Sequence, residues 1–326
     1  MEAMFRVTDG NLTGMSYRPV MGRVRTKQRG TIDMNNTRQR PIPFILSFYF
    51  ICFLFRAVEY LVIRTDQGFF GEAFIHKMIG ILLLAVAVQL IPYRWSELGF
   101  KTEKCLRDTG YGLLLGCAVF VVAYSVEIMI LAATQQTASL RFFATSYAVQ
   151  GNRELQSGLL LILICIAGNI INVVMEEGVF RGLFIRLGRE KYSFLISCLI
   201  SSLLFGFWHI AQPVRNAMDG IQSVPGAIMM GLMLVVTSTL GGIQYAMLTE
   251  MTGSIWTGMA AHFINNTSAN LLHVVTETGI DELMSIRITI AQTLSCVLVF
   301  ILFLLHLRAK KRTSANGERL VSQDDA

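Results

Sequence analysis

The strongest constraint on this chain is a series of eight apolar stretches, each near the length at which a helix crosses a bilayer. A crossing helix needs about 20 apolar residues for roughly 30 Å of hydrocarbon, and it must satisfy its own backbone hydrogen bonds. Only 15% of the residues are charged and the mean hydropathy is +0.52, whereas soluble proteins carry about 25% charged residues. The sequence therefore predicts an all-α, polytopic membrane protein with about eight transmembrane helices, over residues 43–63, 76–92, 110–133, 157–180, 192–211, 224–248, 254–274 and 286–307.

The distribution of Lys and Arg predicts the orientation of these helices. With both termini in the cytoplasm, 21 of the 28 Lys and Arg residues fall in the tails and inside loops. Arg56 lies within the first stretch. The other six are assigned to the outside face of the membrane, namely Arg64, Lys77, Arg141, Arg153, Arg215 and Arg287. Because cytoplasmic loops are enriched in positive charge, we predict an integral, multi-pass membrane protein with both termini cytoplasmic. The net charge of +6 then reflects topology, and we expect no nucleic-acid partner.

Ionisable residues inside the apolar stretches are the first functional candidates, because a charge within lipid is costly. Arg56 and Glu59, three residues apart in the first stretch, are interpreted as a structural pair. Glu127 in the third stretch has no partner that the sequence identifies, and it is interpreted as structural or cavity-facing. Three further polar motifs lie in the second half of the chain.

The first motif contains two adjacent carboxylates. Glu177 and Arg181 are four residues apart with the acid first, which predicts an ion pair on one helix surface. Glu176 points about 100° away around the helix and has no partner inside the motif, which makes it a candidate general base. Asn169 and Asn172 share its helix face and are expected to donate hydrogen bonds. The alternative is a structural cluster at a helix end.

The second and third motifs contribute histidines. His209 follows a tryptophan near the end of its apolar stretch, where a structural role is the alternative. His262 and Asn266 share one face of the seventh predicted helix, and Asn270 and His273 extend that polar stripe. Such a stripe lines a wet cavity or makes a tight polar contact. The heights of Glu176, His209 and His262 above the inside turns, estimated from the helix rise, differ by roughly 15 Å. This estimate alone therefore does not predict that the three motifs meet.

Taken together, the three motifs resemble those of the CPBP family of intramembrane proteases. That family includes the type 2 CAAX prenyl endopeptidases and bacterial bacteriocin-processing or self-immunity proteins. The resemblance covers roughly residues 155–275. It depends on E-E-x-x-x-R, F-x-x-x-H and H-x-x-x-N in this order, formed by Glu176, Glu177, Arg181, Phe205, His209, His262 and Asn266.

The resemblance implies an eight-helix fold with a cavity inside the membrane and an endopeptidase activity. The substrate would be a membrane-associated protein or peptide, within the lipid bilayer. Glu176, helped by His209, would deprotonate the water that attacks the scissile carbonyl. His262 and Asn266 would donate hydrogen bonds to the oxyanion.

The resemblance further implies that Glu177 and Arg181 hold the first of these helices in place. No cofactor is expected, since the pattern fits a metal-free glutamate mechanism and no H-E-x-x-H motif is present. Zinc is the alternative, with Glu176, His209 and His262 as candidate ligands. The oligomeric state is left open by the sequence.

Two other functions stay open beside the protease. A non-catalytic immunity or scaffold protein would keep the same motifs, and a transporter would line its pathway with the polar stripes. Under the protease hypothesis, the chain divides into a basic cytoplasmic tail (1–40), helices one to three (41–150), a catalytic core (151–275), the last helix (276–307) and a basic, polar cytoplasmic tail (308–326).

Overall fold

The fold is known from a computed structural model, which describes residues 40–68, 71–91, 93–145 and 158–324, with side chains as far as Thr313. Except for Arg40, the predicted N-terminal tail lies outside these ranges, as does Arg153. The described helices are α1 (Pro41–Ile63), α2 (Ile75–Leu90), α3 (Cys105–Ala133), α4 (Leu159–Gly188), α5 (Phe194–Trp208), α6 (Ala211–Met218), α7 (Val224–Thr252), α8 (Trp256–Leu271) and α9 (Met284–Asp324). Two strands are described, β1 (Ala138–Phe142) and β2 (Leu272–Thr276), along with short 3-10 turns at Thr65–Gln67, Trp95–Leu98 and Thr102–Lys104.

The predicted polytopic α-helical fold is confirmed, because every one of the apolar stretches contains a helix. Within the described ranges, six helical segments are long and apolar enough to cross a membrane. The helices α2 and α8 have 16 residues each, which corresponds to about 24 Å. The fourth stretch extends further than predicted, since α4 continues to Gly188 through a π-helical segment at Glu177–Phe184. The last helix, α9, continues to Asp324, through most of the tail expected from residue 308.

Small residues on α3 allow α8 to approach closely. A Cβ atom at Gly112 would lie 2.7 Å from Ala260 Cβ, and one at Gly116 would lie 2.7 Å from Ile264 Cβ. Glycines four residues apart on one helix are typical of tight helix contacts in membranes. The backbone of α3 therefore sets the position of α8, which carries His262.

Aromatic side chains join α4 to α5. Phe180 lies edge-on to Phe205, with ring centroids 5.1 Å apart, and to Trp208, with centroids 5.8 Å apart. All three side chains are buried. Edge-to-face pairs of this kind stabilise by about 0.5–1.5 kcal/mol beyond the burial of their area, and they hold the first two motifs against each other.

Three basic residues of the predicted outside set, Lys77, Arg215 and Arg287, are buried in ion pairs. Glu127 of α3 has a partner after all, because Arg287 of α9 donates to its carboxylate at 2.5 Å and both side chains are fully buried. Arg287 also contacts both oxygens of Asp281, at 3.1 and 2.5 Å. Two further members of the predicted outside set are also buried in ion pairs, Lys77 with Glu72 (3.1 Å) and Arg215 with Asp66 (2.8 Å).

The helical prediction for residues 254–274 is wrong at its end. The helix α8 stops at Leu271, and β2 pairs antiparallel with β1, from Ala138 opposite Thr276 to Phe142 opposite Leu272. Tyr124 of α3 donates to the Leu272 carbonyl at 2.7 Å, which satisfies a backbone acceptor where the helix ends.

Residue type explains why a strand follows the helix. Val274 and Val275 are β-branched and favour extended backbone. His273 therefore leaves the polar stripe of α8 and lies in β2, with Nδ1 3.2 Å from Asp281. Its other ring nitrogen lies 3.2 Å from the Phe143 carbonyl.

The Asp281 contacts predict how stability depends on pH. Burial raises the pKa of Asp281, but hydrogen bonds from His273 and Arg287 outweigh it and hold the pKa below its usual value. A carboxyl group with a depressed pKa stabilises the fold above its unfolded pKa and loses that contribution as pH falls through the folded pKa. We therefore expect Asp281→Asn to lower the melting temperature, and the difference from wild type to have its full size between about pH 5 and 7.

The difference between variant and wild type is expected to shrink only below about pH 4. Glu282→Gln is the matched control, because Glu282 is an exposed neighbour and its replacement should change the melting temperature little. A difference for Asp281→Asn that has already vanished at pH 6 would contradict this prediction. Melting curves of the purified protein across this range provide the measurement.

Candidate active site

Four of the six predicted site residues line one cavity of about 110 Å³. These are Glu176, His209, His262 and Asn266, so the motifs converge, which the helix-rise arithmetic could not establish. They come together because α5 ends at Trp208, immediately before His209, and α8 packs against α4. The other lining residues are Arg56, Tyr60, Glu72, Lys77, Asn169, Asn172, Gln212, Leu234 and Asn270.

Glu176 is surrounded by hydrogen-bond donors. Its side chain is 3% exposed. Asn172 donates to Oε2 at 3.0 Å and Trp208 Nε1 donates to Oε1 at 3.0 Å. His262 Nε2 lies 3.7 Å from Oε2. These contacts suit an ionised carboxylate, which only accepts hydrogen bonds, and they fix Oε2 beside the cavity.

Glu177 and Arg181 lie behind the cavity and not in its wall. They form the expected i,i+4 pair, with Arg181 Nη1 3.1 Å from Glu177 Oε1. The same carboxylate oxygen is 2.8 Å from His262 Nδ1, a contact that the sequence did not suggest. Because a carboxylate only accepts, the Nδ1 proton of His262 points to Glu177 and Nε2 is left for the cavity. The ring of Tyr245 stacks on His262 at a centroid distance of 4.8 Å.

His209 and Asn266 each have one polar atom occupied by a neighbour. His209 Nδ1 donates to the Phe205 carbonyl at 2.9 Å, which leaves Nε2 as the acceptor of the neutral ring. The Asn265 amide donates to Asn266 Oδ1 at 3.2 Å, which leaves the Asn266 Nδ2 group as a donor. The four cavity residues therefore offer both proton acceptors and hydrogen-bond donors.

Residues 158–268 match a family model described as type II CAAX prenyl endopeptidase Rce1-like. The match confirms the predicted family. This Rce1-like region begins just before α4 and ends within α8, so it contains all six predicted site residues. It supports a CAAX-type membrane protease as the kind of function. No curated protein and no solved structure matches the chain.

Residues of α1 and α2, which precede the Rce1-like region in the chain, contact this region in ways that the sequence did not predict. Arg56 and Glu59 are joined through His76 and not directly to each other. Glu59 Oε2 lies 2.6 Å from His76 Nδ1, and Arg56 donates to His76 Nε2 at 3.0 Å. The Arg56 guanidinium lies over the Trp208 ring, 4.8 Å from its centroid. Trp208 in turn donates to Glu176, and α1 and α2 also reach the site directly, because Arg56, Tyr60 and Lys77 line the cavity.

The zinc alternative finds little support in the arrangement of the Rce1-like region. Within the described ranges, no group of three His, Cys, Asp or Glu side chains is placed to hold a metal ion. Both oxygens of Glu176, one of the candidate ligands, already accept hydrogen bonds from Asn172 and Trp208. A mechanism without metal stays a prediction, which metal analysis of the purified protein checks.

Trp208 offers a test of how Glu176 is positioned. Trp208→Phe keeps an aromatic ring but removes the donor to Oε1. A hydrogen bond to a charged group contributes about 1.5–3 kcal/mol, so we expect cleavage to slow about tenfold or more. Phe207→Leu is the control, because Phe207 is exposed next to it in the chain. Equal kcat/KM for Trp208→Phe and wild type would show that this hydrogen bond has no role.

Proposed function

We propose that this chain is an intramembrane endopeptidase that hydrolyses a peptide bond of a membrane-associated protein or peptide. The observation that carries the proposal is the cavity in which Glu176, His209, His262 and Asn266 meet. Ionisable residues inside a membrane protein are costly and are retained for function. The Rce1-like match supports a hydrolase of this kind.

In the proposed reaction, Glu176 activates the attacking water. Its Oε2 atom lies beside the cavity and takes one proton from the water as the oxygen attacks the scissile carbonyl. Asn172 and Trp208 keep the carboxylate in this position. His209 accepts a hydrogen bond from the same water through Nε2. Glu176 then returns the proton to the leaving amine, so that it is unchanged at the end of the cycle.

The oxyanion is stabilised from α8. The Nδ1 proton of His262 is donated to Glu177. In the proposed mechanism, His262 therefore carries a second proton on Nε2 and donates that proton to the oxyanion. Asn266 donates from Nδ2, one helical turn away. A single donor of this kind contributes about 10²–10³ in rate. Glu177 and Arg181 act as positioning residues, because Glu177 contacts His262, Arg181 contacts Glu177, and neither lines the cavity.

The experiment that tests this function compares membrane-protein termini in cells that express wild type or Glu176→Gln. We expect a set of new termini that depends on Glu176. Identical termini would contradict a protease, and a cellular phenotype retained by the Glu176→Gln and His262→Ala variants would favour the non-catalytic scaffold. Because the matching family is named for CAAX prenyl substrates, a prenylated CAAX peptide is the first synthetic probe, with the unprenylated peptide beside it.

A further inference from the structure

Within the described ranges, the strand β1 has one unpaired edge. In the described part of the chain the sheet has two strands, so β2 covers only one side of β1. All five residues of β1 are exposed, including the large apolar side chains of Leu140 (59%) and Phe142 (54%). Proteins usually protect such an edge, because its free N–H and C=O groups pair readily with another extended chain.

The hydrogen-bond pattern identifies which backbone groups are free. Phe143 N–H donates to the Leu271 carbonyl at 3.1 Å, which continues the β1–β2 ladder by one step. In an antiparallel pair, bonded and non-bonded positions alternate. Ser139 and Arg141 therefore direct their backbone groups to β2, while Leu140 and Phe142 direct theirs to the open edge.

This edge leads to the rim of the candidate active site. Thr145 N–H donates to the Asn270 carbonyl at 2.8 Å, and Asn270 lines the cavity. His262 precedes Asn270 by eight residues on α8, a distance of about 12 Å along the helix. An extended peptide covers that distance with about four residues.

The sheet is fixed firmly to the helices. A two-stranded sheet is marginally stable alone, but His273 of β2 stacks on Phe143 at a centroid distance of 4.0 Å. The same histidine contacts Asp281, which Arg287 of α9 holds in turn. A rigid strand of this kind can bind a partner without losing conformational entropy of its own.

We propose that the free edge of β1 binds the substrate as an added β-strand and directs it into the cavity. The inference rests on the proposed protease function, and it names the substrate as a segment in extended conformation. Backbone pairing makes binding largely independent of sequence. An extended chain also exposes its peptide carbonyl to the water that Glu176 activates. The apolar side chains of Leu140 and Phe142 favour apolar residues on the same face.

The test uses the full chain carrying Glu176→Gln, in nanodiscs, with a palmitoylated peptide of alternating Val and Thr. A benzoylphenylalanine is moved along the peptide, and the cross-linked residues of the protein are mapped. We expect cross-links to residues 138–142 at peptide positions that alternate with a period of two. N-methylation of the peptide amides should weaken binding at alternate positions, by about twofold to tenfold for each lost hydrogen bond.

A protein variant gives a second measurement. Leu140→Pro removes an N–H group from the open edge, where proline is tolerated, and we expect weaker binding of the peptide. Leu140→Ala keeps the N–H group and separates the backbone effect from that of the side chain. Cross-links that avoid β1, or N-methyl effects without a period of two, would overturn the proposal even if Leu140→Pro fails to fold.

Cleavage of the same peptide by the wild-type protein separates the two proposals. If the peptide is cleaved but its cross-links to β1 do not alternate with a period of two, the role of β1 is overturned and the protease function is retained. If cross-links to β1 alternate with a period of two but the peptide is not cleaved, the role of the edge is supported and the protease function is contradicted for this peptide. Backbone amides of Leu140 and Phe142 that are already protected from hydrogen exchange without peptide would also overturn the proposal, since the edge would then be occupied.

Discussion

Replacing Glu176 with Gln is expected to lower kcat for cleavage of a membrane-anchored peptide by about 10²–10⁴-fold, the usual contribution of a general base. The amide has nearly the same shape as the carboxylate but cannot take a proton from water. It also presents one donor group to a site in which Asn172 and Trp208 both donate. Binding of substrate should change much less, because Glu176 acts on the water.

Purified variants assayed side by side provide the measurement. Glu103→Gln is the matched control, since Glu103 is exposed, outside the cavity, and should retain wild-type activity. A melting temperature close to wild type for Glu176→Gln excludes unfolding as the cause. If Glu176→Gln cleaves at the wild-type rate, Glu176 is not the general base.

The second large effect concerns stability. Arg287→Met is expected to lower the free energy of unfolding by about 3–5 kcal/mol, because it leaves a buried carboxylate without its partner. Glu127 is fully buried on α3 and is held by Arg287 at 2.5 Å. Asp281 loses both of its arginine contacts in the same variant. The anchor of the β1–β2 sheet should loosen as a result.

The double variant Glu127→Met with Arg287→Met is expected to recover part of this loss, since apolar residues often replace a buried ion pair at little cost. Arg308→Met is the control on the same helix, because Arg308 is exposed. Denaturant titration in detergent micelles measures the differences. A loss for Arg287→Met no larger than that for Arg308→Met would show that the buried pair does not stabilise the fold.

The helices were predictable from the sequence because hydropathy is a local property. The stretch at 43–63 agrees with α1 (Pro41–Ile63) within two residues. Pairs that are far apart in the chain were not predictable. Glu127 and Arg287 are 160 positions apart, so their contact depends on how α3 and α9 pack.

The same distinction applies to the candidate site. Spacing alone gave the Glu177–Arg181 pair, which lies within one helix. It did not give the contact of Glu177 with His262, 85 positions away, because that contact requires α8 to lie against α4. Trp208 was visible within the second motif, one residue before His209, but its donor function depends on the position of Glu176. The end of α8 at Leu271 was missed because β1, a distant segment, supplies the strand partner.

Inactive variants of this protein should therefore also arise on α3, a helix that contributes no residue to the cavity wall. Any side chain at Gly112 or Gly116 clashes with α8 and displaces it from its packed position. His262 would then separate from Glu177 and Glu176 although every residue of the three motifs is intact. A search for loss of activity that is limited to the motifs would overlook these two positions, whose only requirement is the absence of a side chain.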